Sequence, residues 1–429
     1  MNQRLYKIVT LGCRTNQYES SAFATQLKAL GYEGARENEP ANLCIINTCT
    51  VTESADLKSR VQVKKLIKEN PNATIYVTGC YAERAKEVLS KLSERLVVVP
   101  NDEKEMLLKE VASAVQKELP EFKIDSFEAH TRAFVKVQDG CNSYCSYCII
   151  PYVRGRSVSR SIESVVNEVR GLIDQGYKEV VLTGINVGDF DDAGSGRRLV
   201  DLVRAVDQVD GLERLRISSI DPDEVDDALI DAVGNGKRTC HSMHIVLQAG
   251  SNVVLNRMRR KYTKQDFFDA VGRLKDFSSD FTFTTDVIVG FPGETDLDFQ
   301  ETLDVIREVK FAKVHMFPYS KRPKTRAARF TDEVAKEVKE SRRQEVLRLS
   351  ERVAYELRSS FVGKKMSVLL ESREEGESDC FFGHTENFLE VVVHGQGLQR
   401  NQIVEVELKE NSARGLIGTA IENSYCRAV

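Results

Sequence analysis

The feature that most constrains this chain is a set of six cysteines divided into two groups of three. The close group has the spacing CxxxCxxC within one short segment, and its members are Cys141, Cys145 and Cys148. In the wide group each cysteine follows a short apolar run, and its members are Cys13, Cys49 and Cys80. A structural zinc ion takes four protein ligands, and a 4Fe-4S cluster normally has four cysteines. Each group is therefore predicted to leave one metal position open for chemistry.

The composition favours a multidomain protein of the cytoplasm. A length of 429 residues corresponds to about three domains, and 41% hydrophobic with 29% charged residues is typical of globular proteins. The N-terminus lacks the apolar segment of a signal peptide, and no apolar run approaches the length of about 18 residues that a membrane helix needs. We therefore expect a cytoplasmic protein without membrane association, whose ten cysteines are metal ligands or core residues rather than disulfides.

Residues 1–119 are predicted to form an N-terminal domain with a parallel sheet. Four apolar runs predict strands, at Lys7–Leu11, Leu43–Asn47, Thr74–Thr78 and Leu96–Val99. Helical patterns alternate with them, and this alternation favours a parallel α/β sheet with helices on both faces. Each wide cysteine stands two residues beyond a predicted strand. All three should therefore meet at the carboxyl edge of the sheet, where open α/β sheets bind their ligands.

Residues 127–357 are predicted to form a partial (βα)6 barrel. The strands are predicted at Ala133–Val137, Glu179–Thr183, Arg214–Ser218, Ser242–Leu247, Phe281–Val289 and Lys313–Phe317. Six units favour an open barrel over a closed one of eight units. The close cysteines follow the first of these strands, again at the carboxyl edge. A charged helix over Thr331–Leu357 is predicted to end the domain.

Residues 359–429 are predicted to form a small all-β barrel. Gly and Asn separate four apolar runs, at Val368–Leu370, Leu389–Val393, Ile403–Leu408 and Leu416–Ala420. This segment holds 7 Lys and Arg against 11 Asp and Glu, whereas RNA-binding domains are usually basic. RNA binding here would need a local basic patch or stacking on Phe381, Phe382 and Phe388. The alternative is that the barrel serves only to shape a substrate cleft.

The motifs around the six cysteines resemble those of the radical S-adenosylmethionine methylthiotransferases, over essentially the whole chain. In chain order they are Leu11–Gln17, Asn47–Thr52, Thr78–Cys80, Asp139–Cys148, Pro151–Gly155, Leu247–Ser251 and Asp286–Thr295. The resemblance implies an N-terminal domain with an auxiliary cluster, a radical S-adenosylmethionine core and a C-terminal barrel of the TRAM type.

Within this family, the chain is most similar to the tRNA enzymes that act on N6-threonylcarbamoyladenosine. Gly12–Glu19 and Phe317–Ser320 carry this finer resemblance. Enzymes acting on isopentenyladenosine in tRNA, or on an aspartate of a ribosomal protein, are the alternatives within the family. A non-catalytic iron–sulfur protein that binds RNA or senses redox state is the alternative outside it.

The resemblance implies two 4Fe-4S clusters with different tasks. The cluster on the close cysteines would bind and reductively cleave S-adenosylmethionine, giving a 5′-deoxyadenosyl radical that activates C2 of the modified adenine. The cluster on the wide cysteines would carry a sulfur, methylated by a second S-adenosylmethionine, for transfer to C2. Electrons would come from a flavodoxin or ferredoxin system. A cofactor has to supply this chemistry, because an aromatic C–H offers no acidic proton to acid–base groups.

Other residues are candidates for contacts with the cofactor or with RNA, and an ordinary turn, packing contact or solvated charge is the alternative for each. Candidates for S-adenosylmethionine contacts are Tyr147, Gly184, Ser219, Gln248 and Gly290. Candidates for tRNA phosphate contacts are Arg154, Arg156, Arg259, Arg260, Lys321 and Arg322. The remaining cysteines have no partner spacing; Cys44 is predicted to be a core residue, and Cys240, Cys380 and Cys426 are unassigned.

Overall fold

The computed structural model describes residues 4–125, 131–192, 194–374 and 379–421. Cys426 and the predicted start of the central domain at residue 127 lie outside these ranges, and the predicted domain boundaries stay predictions. Among the helices of the described ranges, none has both the length and the apolar character needed to span a bilayer.

The N-terminal sheet has five parallel strands in the order β2-β1-β3-β4-β5. The strands are β1 (Leu5–Thr10), β2 (Glu33–Gly34), β3 (Leu43–Thr48), β4 (Thr74–Gly79) and β5 (Leu96–Val98). The helices are α1 (Arg14–Ala29), α2 (Glu53–Glu69), α3 (Cys80–Arg84), α4 (Lys86–Ser90) and α5 (Lys109–Ala114).

Helices cover both faces of this sheet, and β3 is buried along its whole length. Cys44 and Ile46 pack on the side of α2, whereas Ile45 packs on the side of α1 and α5. This confirms the predicted parallel α/β sheet and the predicted core position of Cys44. The edge strand β2 was not predicted, because its two residues, Glu and Gly, carry no apolar signal.

The central region contains two three-stranded parallel sheets, ordered β6-β9-β10 and β11-β12-β13. Its strands are β6 (Arg132–Lys136), β7 (Gln138–Asp139), β8 (Val158–Ser159), β9 (Glu179–Thr183), β10 (Arg214–Ile217), β11 (Ser242–His244), β12 (Thr282–Val289) and β13 (Lys313–Pro318). Its helices are α6 (Ile150–Val153), α7 (Ile162–Asp174), α8 (Leu199–Asp207), α9 (Asp227–Gly234), α10 (Asn252–Arg257), α11 (Lys264–Phe277), α12 (Asp296–Val309) and α13 (Lys336–Ser359).

Parallel bridges join the two sheets into one curved wall. Leu215 pairs with Thr239, and Ile220 pairs with Ile245. The six strands therefore run in the order β6-β9-β10-β11-β12-β13, which confirms the predicted partial (βα)6 barrel. Helix α13 begins later than predicted, since the carbonyl of Asp332 accepts a 2.8 Å hydrogen bond from Gly293 N and holds that segment against the core.

The C-terminal region is a closed barrel in the order β14-β15-β16-β18-β17. Its strands are β14 (Lys365–Arg373), β15 (Cys380–Thr385), β16 (Glu390–His394), β17 (Ile403–Ser412) and β18 (Gly415–Ala420). The predicted small all-β barrel is confirmed, although β15 was missed. Phe381 of β15 is 4% exposed and belongs to the barrel core, so it is not free to stack on RNA.

The β15–β16 turn docks on the amino ends of the core strands, opposite the cysteine loops. Arg214 donates a 3.0 Å hydrogen bond to the carbonyl of His384, and Arg216 donates one of 3.0 Å to that of Thr385. The Phe388 ring lies 4.9 Å from the guanidinium of Arg216. This turn, named here the plug (residues 384–388), closes the far end of the open core.

Glu179 is a fully buried carboxylate beside the plug. It accepts a 2.6 Å hydrogen bond from Arg216 and lies 3.5 Å from Arg214. Burial alone would raise the pKa of Glu179, but the charges of Arg216, Arg214 and Arg132 outweigh it and lower the pKa to about 2. Because the folded pKa lies below the ordinary value of 4.5, this group stabilises the fold above pH 4.5 and loses that effect as the pH falls towards 2.

We therefore predict that the wild-type protein loses on the order of 3 kcal/mol more stability than Glu179→Gln between pH 4.5 and pH 2. Urea unfolding followed by circular dichroism at several pH values measures the difference, with the exposed Glu345→Gln as a control. Parallel loss of stability in wild type and Glu179→Gln would contradict the prediction.

Candidate active site

The three wide cysteines stand at the carboxyl edge of the N-terminal sheet. Cys13 directly precedes α1, Cys49 directly follows β3, and Cys80 is the first residue of α3. Burial, and then the charges of the Cys80 and Cys13 thiolates, raise the pKa of Cys49 to about 11. A Cβ atom placed on Gly12 would lie 3.1 Å from Cys49 Sγ. The loops that carry these cysteines therefore meet, and the three thiols interact.

Two glycines permit this close approach. Gly12 has a φ of +101° and Gly79 a φ of +91°, in the left-handed region that favours glycine. A Cβ atom on Gly79 would also lie 2.5 Å from the carbonyl oxygen of Thr48. There is thus a steric reason for the glycine that precedes the cysteine in Gly12-Cys13 and in Gly79-Cys80.

The close cysteines form one compact loop after β7. Cys148 N donates a 3.0 Å hydrogen bond to the carbonyl of Cys145, and Ser143 N lies 3.4 Å from Cys141 Sγ. Burial, followed by the charge of Cys145, raises the pKa of Cys148 to about 12. This loop therefore presents three interacting thiols to one side.

Each group has the donor chemistry of an iron–sulfur site. Within the described ranges, no three His, Cys, Asp or Glu side chains are gathered around the position of a single ion. A 4Fe-4S cluster needs no such gathering, because each thiolate binds a different iron. Thiols whose pKa is raised by burial lose their protons when metal binds. The residues present thus fit a cluster with three thiolates at both places.

A buried guanidinium touches each group. Arg154 Nε donates to Cys80 Sγ at 3.3 Å, and Arg260 Nη1 donates to Cys145 Sγ at 2.9 Å. Their side chains are 1% and 6% exposed. Positive charge beside a sulfur favours the thiolate, and hydrogen bonds to cluster sulfurs tune the reduction potential. The structure places neither arginine where an RNA phosphate reaches it, so these two predicted phosphate contacts are not retained.

Arg154 also belongs to a buried ion network between the N-terminal sheet and the core. It lies 3.1 Å from Glu19 and 2.8 Å from Asp139, and Lys104 lies 2.5 Å from Glu19. Lys136 lies 3.3 Å from Asp139. Burial alone would raise the pKa of Glu19, but Arg154, Lys104 and Lys136 lower it to about 2. We name these five residues the junction network.

Arg322 makes a second buried bridge between the same two regions. Its Nη1 donates to Asp56 Oδ2 at 2.7 Å, and the residue is 5% exposed. Its predicted phosphate contact is therefore not retained either. The other three candidates for RNA contact are exposed, and they are Arg156, Arg259 and Lys321. Lys321 pairs with Glu333 at 2.7 Å on the surface, and phosphate contacts by these three stay predictions.

A cavity of about 320 Å³ lies between the N-terminal region and the close cysteine loop. Its walls are Val51, Thr52, Tyr147, Cys148, Ile149, Ile150, Gln248, Asp286, Ile288, Phe317, Pro318, Tyr319 and Ser320. Two cavities of about 680 Å³ lie elsewhere, but neither is lined by a cysteine. The smaller cavity joins Cys148 to the residues that follow Cys49, which makes it the candidate active site.

Tyr147 and Gln248, two of the five predicted cofactor residues, line this cavity. Gln248 has a φ of +61°, and its side-chain oxygen is buried without a hydrogen-bond partner in the described part of the chain. The hydroxyl of Tyr319 in the same wall is likewise unpartnered there. An unsatisfied buried polar atom costs free energy, so both atoms mark places for a polar ligand.

The other three predicted cofactor residues do not line the cavity. Gly184 approaches Gln138, since a Cβ atom there would lie 2.9 Å from Gln138 Oε1. Gln138 in turn donates a 2.8 Å hydrogen bond to the carbonyl of Gly140, at the start of the cysteine loop. Gly290 is a turn residue whose N–H donates to Glu294 at 3.0 Å. Cofactor contacts by Gly184, Gly290 and Ser219 stay predictions.

The interior of the open barrel formed by β6 and β9–β13, named here the lumen, holds polar residues that were not predicted from the sequence. On β12, Phe283, Val287 and Val289 pack in the outer core, so Thr284 and Asp286 face the lumen. His244 Nε2 lies 3.5 Å from Asp286, and its ring lies 5.8 Å from that of His315. The alternation of polar and apolar residues along β11 and β12 is the signal that could have identified them.

Comparison with known proteins identifies two domain families in the chain. The model of the uncharacterized protein family UPF0004 matches residues 5–99, and that of the radical SAM superfamily matches residues 135–306. The structure is similar to the radical S-adenosylmethionine methyltransferase TsrM from Kitasatospora setae, with a TM-score of 0.57 and 16% identity, over 76% of this chain and 77% of the other. This last similarity concerns the fold alone.

Several curated relatives match over nearly the full length. Threonylcarbamoyladenosine tRNA methylthiotransferase MtaB of Chlamydia pneumoniae is 46% identical, over 97% of this chain and 98% of its own length. The protein of the same description from Bacillus subtilis is 37% identical, over 93% and 92%. tRNA-2-methylthio-N(6)-dimethylallyladenosine synthase of Finegoldia magna is 35% identical, over 97% and 94%.

We predict that Arg154→Gln lowers the free energy of unfolding by about 3 kcal/mol, because it leaves buried carboxylates with fewer partners. Arg84→Gln is the matched control: Arg84 pairs with Asp56 at 2.6 Å, but its side chain is 28% exposed. There we expect a loss of about 1 kcal/mol or less. Urea unfolding of the metal-free proteins compares the two, and equal losses would contradict the role given to the junction network.

Proposed function

This chain belongs to the methylthiotransferases of the radical S-adenosylmethionine superfamily, and from this membership we propose that it modifies tRNA at C2 of N6-threonylcarbamoyladenosine next to the anticodon. The relatives described as MtaB, at 46% and 37% identity, support this substrate. The single observation that carries the proposal is the cavity lined both by Cys148 and by the residues that follow Cys49.

The enzyme uses S-adenosylmethionine and 4Fe-4S chemistry, as its superfamily does. We assign one cluster to Cys141, Cys145 and Cys148 and a second to Cys13, Cys49 and Cys80. Bound there, the two clusters and S-adenosylmethionine would supply the radical, the sulfur and the methyl group of the reaction. The protein's own residues have three remaining tasks, which are to hold, to orient and to shield the reactants.

The junction network and the Arg322–Asp56 pair hold the two cysteine groups in a fixed relation. Both are buried contacts between the N-terminal sheet and the core. A transfer of sulfur between two sites needs reacting groups at a fixed separation, because small displacements lower the rate strongly. We assign these ion pairs a positioning role in the reaction.

The cavity walls would orient the substrate and, once it is bound, shield the reacting groups from water. Ile149, Ile150 and Ile288 give an apolar surface, while Gln248 and Tyr319 contribute the unpartnered polar atoms. Such a lining suits an aromatic base with a few polar groups at its edge. Exclusion of water protects a radical from side reactions.

The proposed partners are a tRNA and an electron donor such as a flavodoxin or ferredoxin system. The exposed cations Arg156, Arg259 and Lys321 are the candidates for phosphate contacts, which rely on such side chains. Isopentenyladenosine is the competing substrate, since a relative described as a dimethylallyladenosine synthase is 35% identical over 97% of this chain.

Iron analysis tests the assignment of the two clusters. We predict about eight irons per chain in the anaerobically reconstituted protein, and about four in the variant with Cys13, Cys49 and Cys80 changed to alanine. Mössbauer spectroscopy identifies the cluster type. Cys44→Ala, in the buried β3 of the same sheet, is the matched control and should keep all the iron. About four irons in both wild type and triple variant would contradict the proposed second cluster and the proposed sulfur insertion.

Nucleoside mass spectrometry tests the substrate. Wild-type enzyme with S-adenosylmethionine and a reductant should add a methylthio group to an anticodon stem-loop that carries N6-threonylcarbamoyladenosine. The triple alanine variant should not, because it lacks the proposed sulfur site. Modification of an isopentenyladenosine stem-loop instead would show that isopentenyladenosine, not N6-threonylcarbamoyladenosine, is the substrate.

A further inference from the structure

Arg14, the first residue of α1, reaches the core lumen from the N-terminal domain. Its guanidinium carbon lies 5.5 Å from the centre of the Phe134 ring on β6. The charges of Arg216 on β10, Glu179 on β9 and Asp286 on β12 all act on it. Helix α1 packs against β6. The side chain therefore lies against β6, where charged residues from both halves of the open core act on it.

Among the described residues, no carboxylate lies within ion-pairing distance of Arg14; Glu179 and Asp286 act on it only from further away. Its guanidinium makes no ion pair within 4.0 Å and no hydrogen bond with any of them. The two neighbouring cations are paired, since Arg132 lies 3.1 Å from Glu371 and Arg216 donates to Glu179 at 2.6 Å. Arg14 thus differs from these two cations, because in the described part of the chain it has no ion-pair partner.

The surroundings of Arg14 are enclosed yet reachable. Arg14 is exposed to solvent, and the charges of Arg132, Arg216, Glu179 and Asp286 act on it from the surrounding strands. The two observations agree for a side chain in an open lumen, where protein surrounds the group but a small molecule can approach. An accessible guanidinium without a close carboxylate partner can take an anionic ligand through charge-assisted hydrogen bonds.

Arg14 is also connected to the candidate active site. Asp286 lines the cavity and acts on Arg14 through its charge. His244, 3.5 Å from Asp286, adds a polar group beside it. The lumen next to the cavity therefore offers a guanidinium together with hydrogen-bonding groups.

This chemistry matches one feature of the proposed substrate. The threonylcarbamoyl group carries a carboxylate and a hydroxyl, whereas an isopentenyl group is wholly apolar. A guanidinium binds a carboxylate through two parallel hydrogen bonds. We propose that Arg14 binds the carboxylate of the N6-threonylcarbamoyl group and thereby determines the choice of substrate. This proposal rests on the proposed function.

The same residue disfavours the competing substrate. An isopentenyl group placed in the lumen would exclude water from Arg14 without offering it a partner. A site built to pair with a polar group rejects the analogue that lacks it, because its own polar group is then left unpaired. Arg14 thus acts as a specificity-determining residue through attraction of one substituent and rejection of the other.

The test measures RNA binding by the anaerobically reconstituted full-length protein. Three anticodon stem-loops are compared, carrying N6-threonylcarbamoyladenosine, its carboxylate methyl ester, or adenosine. Wild type should bind the acid roughly ten- to a hundredfold more tightly than the ester, as expected for a charge-assisted hydrogen-bonded pair. Arg14→Gln should bind acid and ester equally, with unchanged affinity for the adenosine stem-loop. The exposed Arg36→Gln, which removes the same charge from the same domain, should behave as wild type.

Arg14→Lys keeps the charge and serves as the second variant, because Arg14 adjoins Cys13. Where the glutamine variant binds less iron, a retained preference for the acid in the lysine variant supports the proposal. Equal binding of acid and ester by the lysine variant, or a wild-type preference retained by Arg14→Gln, overturns it.

Mass spectrometry separates this inference from the function on which it rests. If wild type methylthiolates the threonylcarbamoyl stem-loop but Arg14→Gln keeps the preference for the acid, the inference alone fails. If wild type leaves that stem-loop unmodified and modifies the isopentenyl one, the proposed function fails, and the inference with it.

Discussion

The relation between the two cysteine groups depends on buried charge at the junction of the N-terminal sheet with the core. Three cations and two carboxylates meet there, and all of them are nearly buried except Asp139, whose side chain is 22% exposed. A buried charge that loses its partner costs several kcal/mol, so the two regions satisfy this network in one relative position. Because Arg154 also touches Cys80 Sγ, the same network places the wide cysteines against the core.

The general architecture was predictable from local patterns. The parallel sheets and the small barrel were predicted from short apolar runs, from the Gly and Pro residues that separate them, and from alternating helical patterns. All of these are properties of neighbouring residues. The position of all six cysteines followed from the rule that loops at the carboxyl ends of parallel strands share an edge. The strand β15 was missed, because Cys380–Thr385 is short and holds Gly383 and His384.

The roles of individual charged residues were not predictable in the same way. Arg154, Arg260 and Arg322 lie in basic runs that are typical of a solvated or RNA-binding surface, yet each is buried. Their partners are distant in sequence; Arg322 and Asp56 are 266 positions apart. Only the tertiary structure brings such pairs together. Gln248 was predicted near the cofactor because it follows a predicted strand, and it lines the cavity. Arg14 was not predicted near the core, since nothing local shows that a residue of one domain approaches another.

The plug has a consequence for the order in which the protein is made. Residues 384–388 complete the core, yet the ribosome synthesises them after every strand that they close. Arg214 and Arg216 therefore emerge without the carbonyl groups that they later bind. Domains usually fold as they leave the ribosome, starting from the N-terminus, but this core reaches its final form only after the last domain has been translated. The amino end of the core in a nascent chain would thus stay open until synthesis is nearly finished.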